Sequence, residues 1–136
     1  MPDKDYSHRD VTDKLGLKPG HVVRVVGKGE QELLTRAREK IGRPLARSGK
    51  TPADVILYWP KTAAEVTPAL ADLREAVAPN GGIWVITAKR GYPGYLNQDA
   101  LIPLGLAAGL VDNKICSISE RESAMRFVIR RADRKS

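Results

Sequence analysis

The amino-acid sequence predicts an α/β domain in which a mostly parallel sheet ends in an antiparallel hairpin. Three observations support this prediction. The apolar runs HVVRVVG, DVILYWP and IWVITAK are separated by segments with helical periodicity, which is the order of consecutive βαβ units. Such units place their strands in parallel. The segments VDNKICSISE and SAMRFVIRR then alternate between apolar and polar residues on either side of a short polar turn, as the strands of a hairpin do.

The first third of the chain is predicted to form a helical turn, a buried strand and a longer helix. Asp10 or Thr12 is placed to cap the turn VTDKLGL, and HVVRVVG is apolar enough for a strand buried on both faces. EQELLTRAREKIG carries its apolar residues on one helical face, and Gly42 suits its end. The next segment, RPLARSGKTPA, is rich in proline, glycine and charge, so at most a short edge strand is expected near Leu45.

The middle of the chain predicts the second strand, a helix and the third strand. After DVILYWP, Thr62 and Glu65 match a capping box, so a helix is expected to start there. Pro68 lies inside this helix and should bend it or delay its start. The segment APNGG predicts a turn that leads into IWVITAK.

The last third predicts one more helix before the hairpin. The loop KRGYPGYLN precedes it, Asp99 is the expected cap, and Pro103 is expected in the first turn. Gly109 is the expected end of this helix, and Glu120 to Ser123 are expected to form the tip of the hairpin.

Length and charge favour a basic protein with one domain. The 136 residues are expected to form a single domain, residues 1–136, with a polar arm at residues 1–10 and a basic tail at residues 132–136. No apolar run reaches the length of a membrane span and the first residues are polar, so a cytoplasmic location is expected. The net charge of +7 favours contact with nucleic acid, acidic proteins or anionic ligands without selecting one of them.

Cysteine and histidine usage argues against several kinds of chemistry. The one cysteine, Cys116, excludes an internal disulfide and a zinc site built on cysteine, and its strand-like surroundings favour a small buried hydrophobe over a nucleophile. The two histidines, His8 and His21, are not spaced as a metal pair on a helix. We therefore predict no metal ligand and no catalytic residue.

Three stretches correspond in order to the fold of class I methyltransferases. They are LKPGHVVRVVG, APNGGIWVITAK and GLVDNKICSISERESAMRFVIRR. The chain thus resembles a minimal Rossmann-like, methyltransferase-like three-layer sandwich. More narrowly it resembles the bacterial family called domain of unknown function 3052, through YSHRDVTDKLGLKPGHVV, PNGGIWVITAK, LGLAAGLVDNKICSI and RFVIRR. This resemblance implies a fold and a bacterial, cytosolic setting, and it implies no reaction.

The resemblance also indicates where a ligand would bind. Residues that follow the core strands gather at the carboxyl edge of such a sheet. The candidate ligand-binding residues are Gly27, Lys28, Gly29, Tyr58, Trp59, Pro60, Lys89, Arg90 and Tyr92. Methyltransferases usually carry an acidic residue before the glycines and a carboxylate after the second strand. Here the first position is Val26, and RPLARSGK offers only cations at the second.

Three hypotheses of function follow. The preferred one is a non-catalytic or regulatory module that binds a small ligand or a protein partner at the carboxyl edge of the sheet. The alternative is a divergent methyltransferase that uses S-adenosylmethionine in the same pocket. The third is a nucleic-acid-binding domain that uses the basic termini, although the few aromatic residues argue against a surface on which bases stack.

Overall fold

The computed structural model describes residues 10–49 and 51–134, and within them five strands form one sheet. The strands are Val23–Val26 (β1), Ala53–Tyr58 (β2), Val77–Ala88 (β3), Leu110–Ser117 (β4) and Glu122–Ile129 (β5). The helices are Val11–Lys14 (α1), Gln31–Ile41 (α2), Val66–Arg74 (α3) and Gln98–Ala107 (α4). The sheet has the order β1-β2-β3-β5-β4, in which β1, β2 and β3 are parallel and β5 is antiparallel to both of its neighbours. This order confirms the predicted fold class.

Helices cover both faces of the sheet and make the three layers. On one face, buried side chains of β2, β3 and β5 such as Ile56 and Phe127 pack against Leu70 of α3 and Leu101 of α4. On the other face, residues of β1, β2 and β3 pack against α1 and α2. Gly105 lets α4 pack closely against β5, because a Cβ atom at this position would overlap the ring of Phe127.

The first third folds as expected. Asp10 caps α1 by accepting a hydrogen bond of 2.9 Å from the Thr12 amide, and Gly42 ends α2 with a left-handed φ of 74°. The edge strand expected near Leu45 is reduced to one bridge, in which Ala46 pairs in parallel with Arg24. The remainder of the predicted polar arm, residues 1–9, lies outside the described residues.

Two predictions about the middle of the chain are wrong in detail. Thr62 makes no capping hydrogen bond, and the Glu65 carboxylate accepts a hydrogen bond from the Tyr58 hydroxyl. A short 3₁₀ turn, Ala63–Glu65, precedes α3, so the helix starts late and Pro68 falls in its first turn. The segment APNGG is part of β3 rather than a turn before it, since Ala53 pairs with Val77 and Val55 with Gly82 and the intervening residues of β3 bulge out.

Three predictions about the last third are corrected as well. Asn97 caps α4, its side chain accepting a hydrogen bond of 2.7 Å from the Asp99 amide, and Pro103 is the sixth helical residue. The tip of the hairpin comprises residues 118–121, because β5 already begins at Glu122. The basic tail is attached through Arg134, whose side chain donates a hydrogen bond of 3.0 Å to the Ile129 carbonyl.

Candidate functional site at the carboxyl edge of the sheet

The carboxyl ends of β1 and β2 lie side by side and bring two of the predicted segments together. Val26 pairs with Tyr58, and the Trp59 amide donates a hydrogen bond of 2.9 Å to the Val26 carbonyl. The chain turns away from β1 at Gly27, where a φ of 93° favours glycine. The three-residue segment Gly27–Gly29, called the glycine loop below, therefore contacts the residues after β2.

The indole of Trp59 covers the glycine loop. A Cβ atom on Gly29 would lie 2.7 Å from the indole atoms Cη2 and Cζ3, and one on Gly27 would overlap the Trp59 carbonyl oxygen. Only 7% of Trp59 is exposed, whereas Lys28, between the two glycines, projects into solvent. The absence of side chains on the glycines thus accommodates Trp59 in the place where a cofactor would approach the backbone.

Tyr58 and Pro60 contribute less to this edge than predicted. The Tyr58 ring is buried among the core residues that face α3, and its hydroxyl donates a hydrogen bond of 2.9 Å to Glu65. Burial, reinforced by the Glu65 carboxylate, raises the pKa of Tyr58 well above its usual value. Pro60 is partly exposed at the end of the strand. The Tyr58 side chain therefore supports the core rather than a ligand.

Glu122 is a residue of this edge that sequence reasoning missed. Burial raises the pKa of its carboxyl group, and the nearby Glu30 carboxylate also raises it. The Trp59 indole acts in the opposite direction and lowers this pKa. The Trp59 indole nitrogen is itself buried and has no hydrogen-bond partner among the described residues. The indole therefore acts on the carboxylate without a well-formed hydrogen bond. The antiparallel hairpin was the signal that could have found Glu122, because β5 must begin at the edge where β3 ends.

The position after the bridging residue Ala46 holds a cation rather than an acid. Arg47 donates a hydrogen bond of 2.9 Å to the Gly27 carbonyl. A ribose diol is usually bound there by a carboxylate, which accepts from both hydroxyls, and a guanidinium cannot accept hydrogen bonds. With Trp59 on the glycine loop and Arg47 beside it, the residues at β1 do not fit S-adenosylmethionine in the way that the resemblance implies.

A cavity of about 470 Å³ opens further along the same edge, at the end of β3 and the start of α4. We call it the carboxyl-edge cavity; its polar lining comprises Lys89, Arg90, Tyr95, Asn97, Gln98, Asp99 and Ser123. Lys89 and Arg90, which were predicted as loop residues of the site, therefore lie together in the lining of this cavity. The glycine loop does not line it.

Cations and aromatic rings are paired around this cavity. The Arg90 guanidinium carbon lies 5.8 Å from the centre of the Tyr95 ring, and that of Arg121 lies 6.0 Å from the centre of the Tyr92 ring. The Lys89 ammonium donates a hydrogen bond of 2.7 Å to the Ser117 hydroxyl. These contacts bring three cations and two exposed rings near one another, which suits an anionic or planar ligand.

Cys116 is half-buried in β4, on the face that carries the helices α1 and α2. Burial raises the pKa of its thiol, although the ammonium groups of Lys14 and Lys114 act in the opposite direction. A raised pKa disfavours the reactive thiolate, which agrees with the interpretation of Cys116 as a packing residue.

Neither a metal cluster nor a membrane-spanning helix is found in the described residues. No group of three or more His, Cys, Asp or Glu side chains in it is arranged to hold a metal ion. None of the helices in residues 10–49 and 51–134 has the length and apolar character needed to cross a membrane. Nucleic-acid binding through the basic termini stays a prediction.

The strand order and the helices on both faces define a Rossmann-like domain with the architecture of class I methyltransferases. The structure is similar to that of an S-adenosylmethionine-dependent methyltransferase from Aquifex aeolicus, with a TM-score of 0.61, 16% identity and 88% of each chain covered. A magnesium protoporphyrin IX methyltransferase from Synechocystis, solved with bound S-adenosylmethionine, gives a TM-score of 0.58 at 11% identity, covering 96% of this chain and 86% of that one. The chain belongs to the family described as protein of unknown function (DUF3052), whose sequence profile matches residues 12–131.

A larger methyltransferase contains a domain of similar fold. An O-methyltransferase of neocarzinostatin biosynthesis, solved with S-adenosyl-L-homocysteine and 1,4-dihydroxy-2-naphthoic acid, has a TM-score of 0.66 at 17% identity. The match covers 93% of this chain and 51% of that enzyme, so this chain spans about half the enzyme's length. A comparison with curated protein sequences found no match. Because the identities are low, these likenesses show the fold alone.

Proposed function

We propose that this protein is a non-catalytic or regulatory binding module that has kept the methyltransferase-like fold without methyl transfer. The observation that carries the proposal is the packing of the Trp59 indole on Gly29, which fills the approach to the glycine loop. Arg47 supports it, because a cation stands where a carboxylate would hold a ribose.

The ligand of this module binds in the carboxyl-edge cavity. Lys89 and Arg90 supply positive charge, and Tyr95 supplies a ring beside the Arg90 guanidinium. A cavity of about 470 Å³ is large enough for a small organic ligand, for which pockets of roughly 300–1,000 Å³ are usual. Asp99 in the first turn of α4 opposes a ligand of high negative charge, so the favoured ligand is a planar molecule with one anionic group.

A divergent methyltransferase is the second candidate. It is favoured by the backbone of the glycine loop, where Gly27 keeps a positive φ of 93°, and by the likeness to enzymes solved with S-adenosylmethionine or its product. This candidate requires Trp59 to leave Gly29 when the cofactor binds. The two functions therefore make opposite predictions for the purified protein.

Calorimetric titration with S-adenosylmethionine and with S-adenosylhomocysteine separates the two candidates. The proposal predicts no saturable binding of either compound. Saturable binding at micromolar concentrations would overturn it in favour of the methyltransferase. Trp59→Ala is the informative variant in that case, because removal of the indole should tighten cofactor binding if the indole must move aside.

2-Naphthoate serves as the probe of the carboxyl-edge cavity, since it is planar and carries one carboxylate but no phosphate group. Charge reversal by Lys89→Glu and Arg90→Glu should each weaken its binding by about tenfold or more, as expected for a lost charged hydrogen bond. Lys61→Glu is the matched control, because Lys61 is exposed at the same edge and does not line the cavity. Equal affinities for all three variants would contradict the assignment of the cavity.

A further inference from the structure

A second cavity lies at the opposite, amino-terminal edge of the parallel strands. It has a volume of about 350 Å³ and is open on the face that carries α1. Its charged lining residues are Lys14, Lys18, Lys114, Arg126 and Asp54, and the backbone of Gly81 forms part of its wall. We call this cavity the amino-edge groove. It shares no lining residue with the carboxyl-edge cavity.

Arg126 is the central residue of the groove. Its guanidinium group lies flat on the backbone of Gly82, where a Cβ atom would overlap Nε and would lie 2.7 Å from Cζ. The side chain is half-buried, and burial together with Arg134 lowers the pKa of the guanidinium. Among the described residues Arg126 has no hydrogen bond to a side chain and no ion pair. The Arg126 guanidinium is thus held in the cavity without an ion pair to a carboxylate of the described residues.

Like charges meet at this point of the sheet. Lys114 of β4 is directly opposite Arg126 of β5 in the antiparallel register. Directly opposite side chains share a face, and like charges in that arrangement are destabilising. Lys14 of α1 also lines the groove, and its ammonium group donates a hydrogen bond of 3.3 Å to the Ser117 carbonyl at the far end of β4. A bound anion would relieve the repulsion among these cations.

The carboxylates near the groove are engaged elsewhere. Asp54, the acid that lines it, accepts a hydrogen bond of 2.8 Å from the Val22 amide. The acids of α1 pair with α2, Asp10 with Arg36 at 3.0 Å and Asp13 with Lys40 at 2.7 Å. Four cationic side chains therefore face the groove against one carboxylate that is already bound to the backbone.

We propose that the amino-edge groove binds the phosphate group of a small phosphorylated molecule. A planar guanidinium and neighbouring ammonium groups are the donors that proteins use for phosphate oxygens. The volume lies at the lower end of the range for small-ligand pockets, which favours a compact ligand. A nucleic-acid backbone needs a longer track of cations, so the concave shape favours the small molecule.

Titration with pyrophosphate and with inorganic phosphate at constant ionic strength tests this inference. Calorimetry should show one site, with pyrophosphate binding more tightly than inorganic phosphate. Arg126→Gln and Lys114→Gln should each reduce the pyrophosphate affinity by about tenfold or more. Lys114 is exposed, so its variant keeps the test meaningful even if Arg126→Gln disturbs the fold. Lys28→Gln is the control, because it removes the same charge at the opposite edge.

Three results would overturn the proposal. The first is an absence of saturable pyrophosphate binding at millimolar concentrations. The second is an equal loss of affinity in the Lys28→Gln control, which would indicate general attraction to a basic protein. The third is tighter binding of a single-stranded oligonucleotide than of pyrophosphate, with competition between the two. If that binding depends equally on Lys114, the groove is assigned to nucleic acid. Charge reversal at Lys89 and Arg90 should leave pyrophosphate binding unchanged, so this proposal and the proposed function fail independently.

Discussion

The indole of Trp59 rests on the Cα atom of Gly29, and the space for a methyl group there is only 2.7 Å from the ring. Contacts under 3.0 Å are not tolerated by real Cβ atoms, so either the ring or the loop must shift when a side chain is added. This contact links the motif that resembles a cofactor loop to a packing role. It also gives Gly29 a role that requires no cofactor.

Gly29→Ala should lower the free energy of unfolding by about 1–3 kcal/mol, the usual cost of inserting a methyl group into a packed site. Urea denaturation measures the change. Trp59→Ala provides the control, because in that background the added methyl group has room and Gly29→Ala should cost much less. If the cost of Gly29→Ala is the same with and without the indole, the contact is not the cause.

Glu122→Gln should stabilise the protein at neutral pH. Burial and Glu30 raise the pKa of Glu122 above its ordinary value of 4.5, so the folded protein holds this proton more tightly than the unfolded chain. The contribution of Glu122 to stability is therefore largest below pH 4.5 and is lost as the pH rises through 4.5 towards the raised pKa. Denaturation curves at neutral and acidic pH should show the advantage of Glu122→Gln disappearing in acid. Glu120→Gln is the matched control, because it removes the same charge at the exposed tip.

Trp59→Phe should raise the pKa of Glu122 further. The Trp59 indole is the group that lowers this pKa, and phenylalanine keeps an aromatic ring without the N–H. NMR titration of the Glu122 side-chain carbon measures the pKa, and an unchanged value would separate Trp59 from Glu122.

The sequence was sufficient for the strands and the fold class, because strands of a parallel sheet read as continuous apolar runs and hairpin strands alternate. It also placed Trp59 beside the glycine loop, since both follow neighbouring strands. It did not reveal that the indole would cover Gly29, because glycine after a strand has the same appearance whether it faces a cofactor or a side chain.

Two other features depended on contacts between different elements that no local pattern contains. Glu65 was expected to form a capping box with Thr62, but its carboxylate instead accepts a hydrogen bond from the Tyr58 hydroxyl. The amino-edge groove combines Arg126 and Lys114 of the hairpin with the end of α1, segments that are far apart in the chain. Only the register of β4 and β5 places those two cations opposite each other.

Tyr58→Phe should lower the free energy of unfolding by about 1 kcal/mol, as is typical for the loss of one hydrogen bond. The buried hydroxyl donates to Glu65 at 2.9 Å, and its removal leaves that carboxylate without this partner. The same variant should leave the affinity of every carboxyl-edge ligand unchanged, because the Tyr58 ring lies in the core. Chemical denaturation and calorimetry measure the two effects. A loss of ligand affinity with unchanged stability would restore Tyr58 to the binding site.

Gly105→Ala should destabilise the protein even though alanine is the better helix former. In an exposed helix the substitution would gain about 1 kcal/mol from helix propensity. In α4 the added methyl group would overlap the Phe127 ring, and overpacking of this kind costs about 1–3 kcal/mol, so the loss should exceed the gain. Phe127→Leu is the background that separates the two effects. With the smaller side chain the clash is removed, and Gly105→Ala should then become neutral or stabilising in thermal or urea denaturation. A stabilising effect in the presence of Phe127 would show that α4 lies further from β5 than this contact requires.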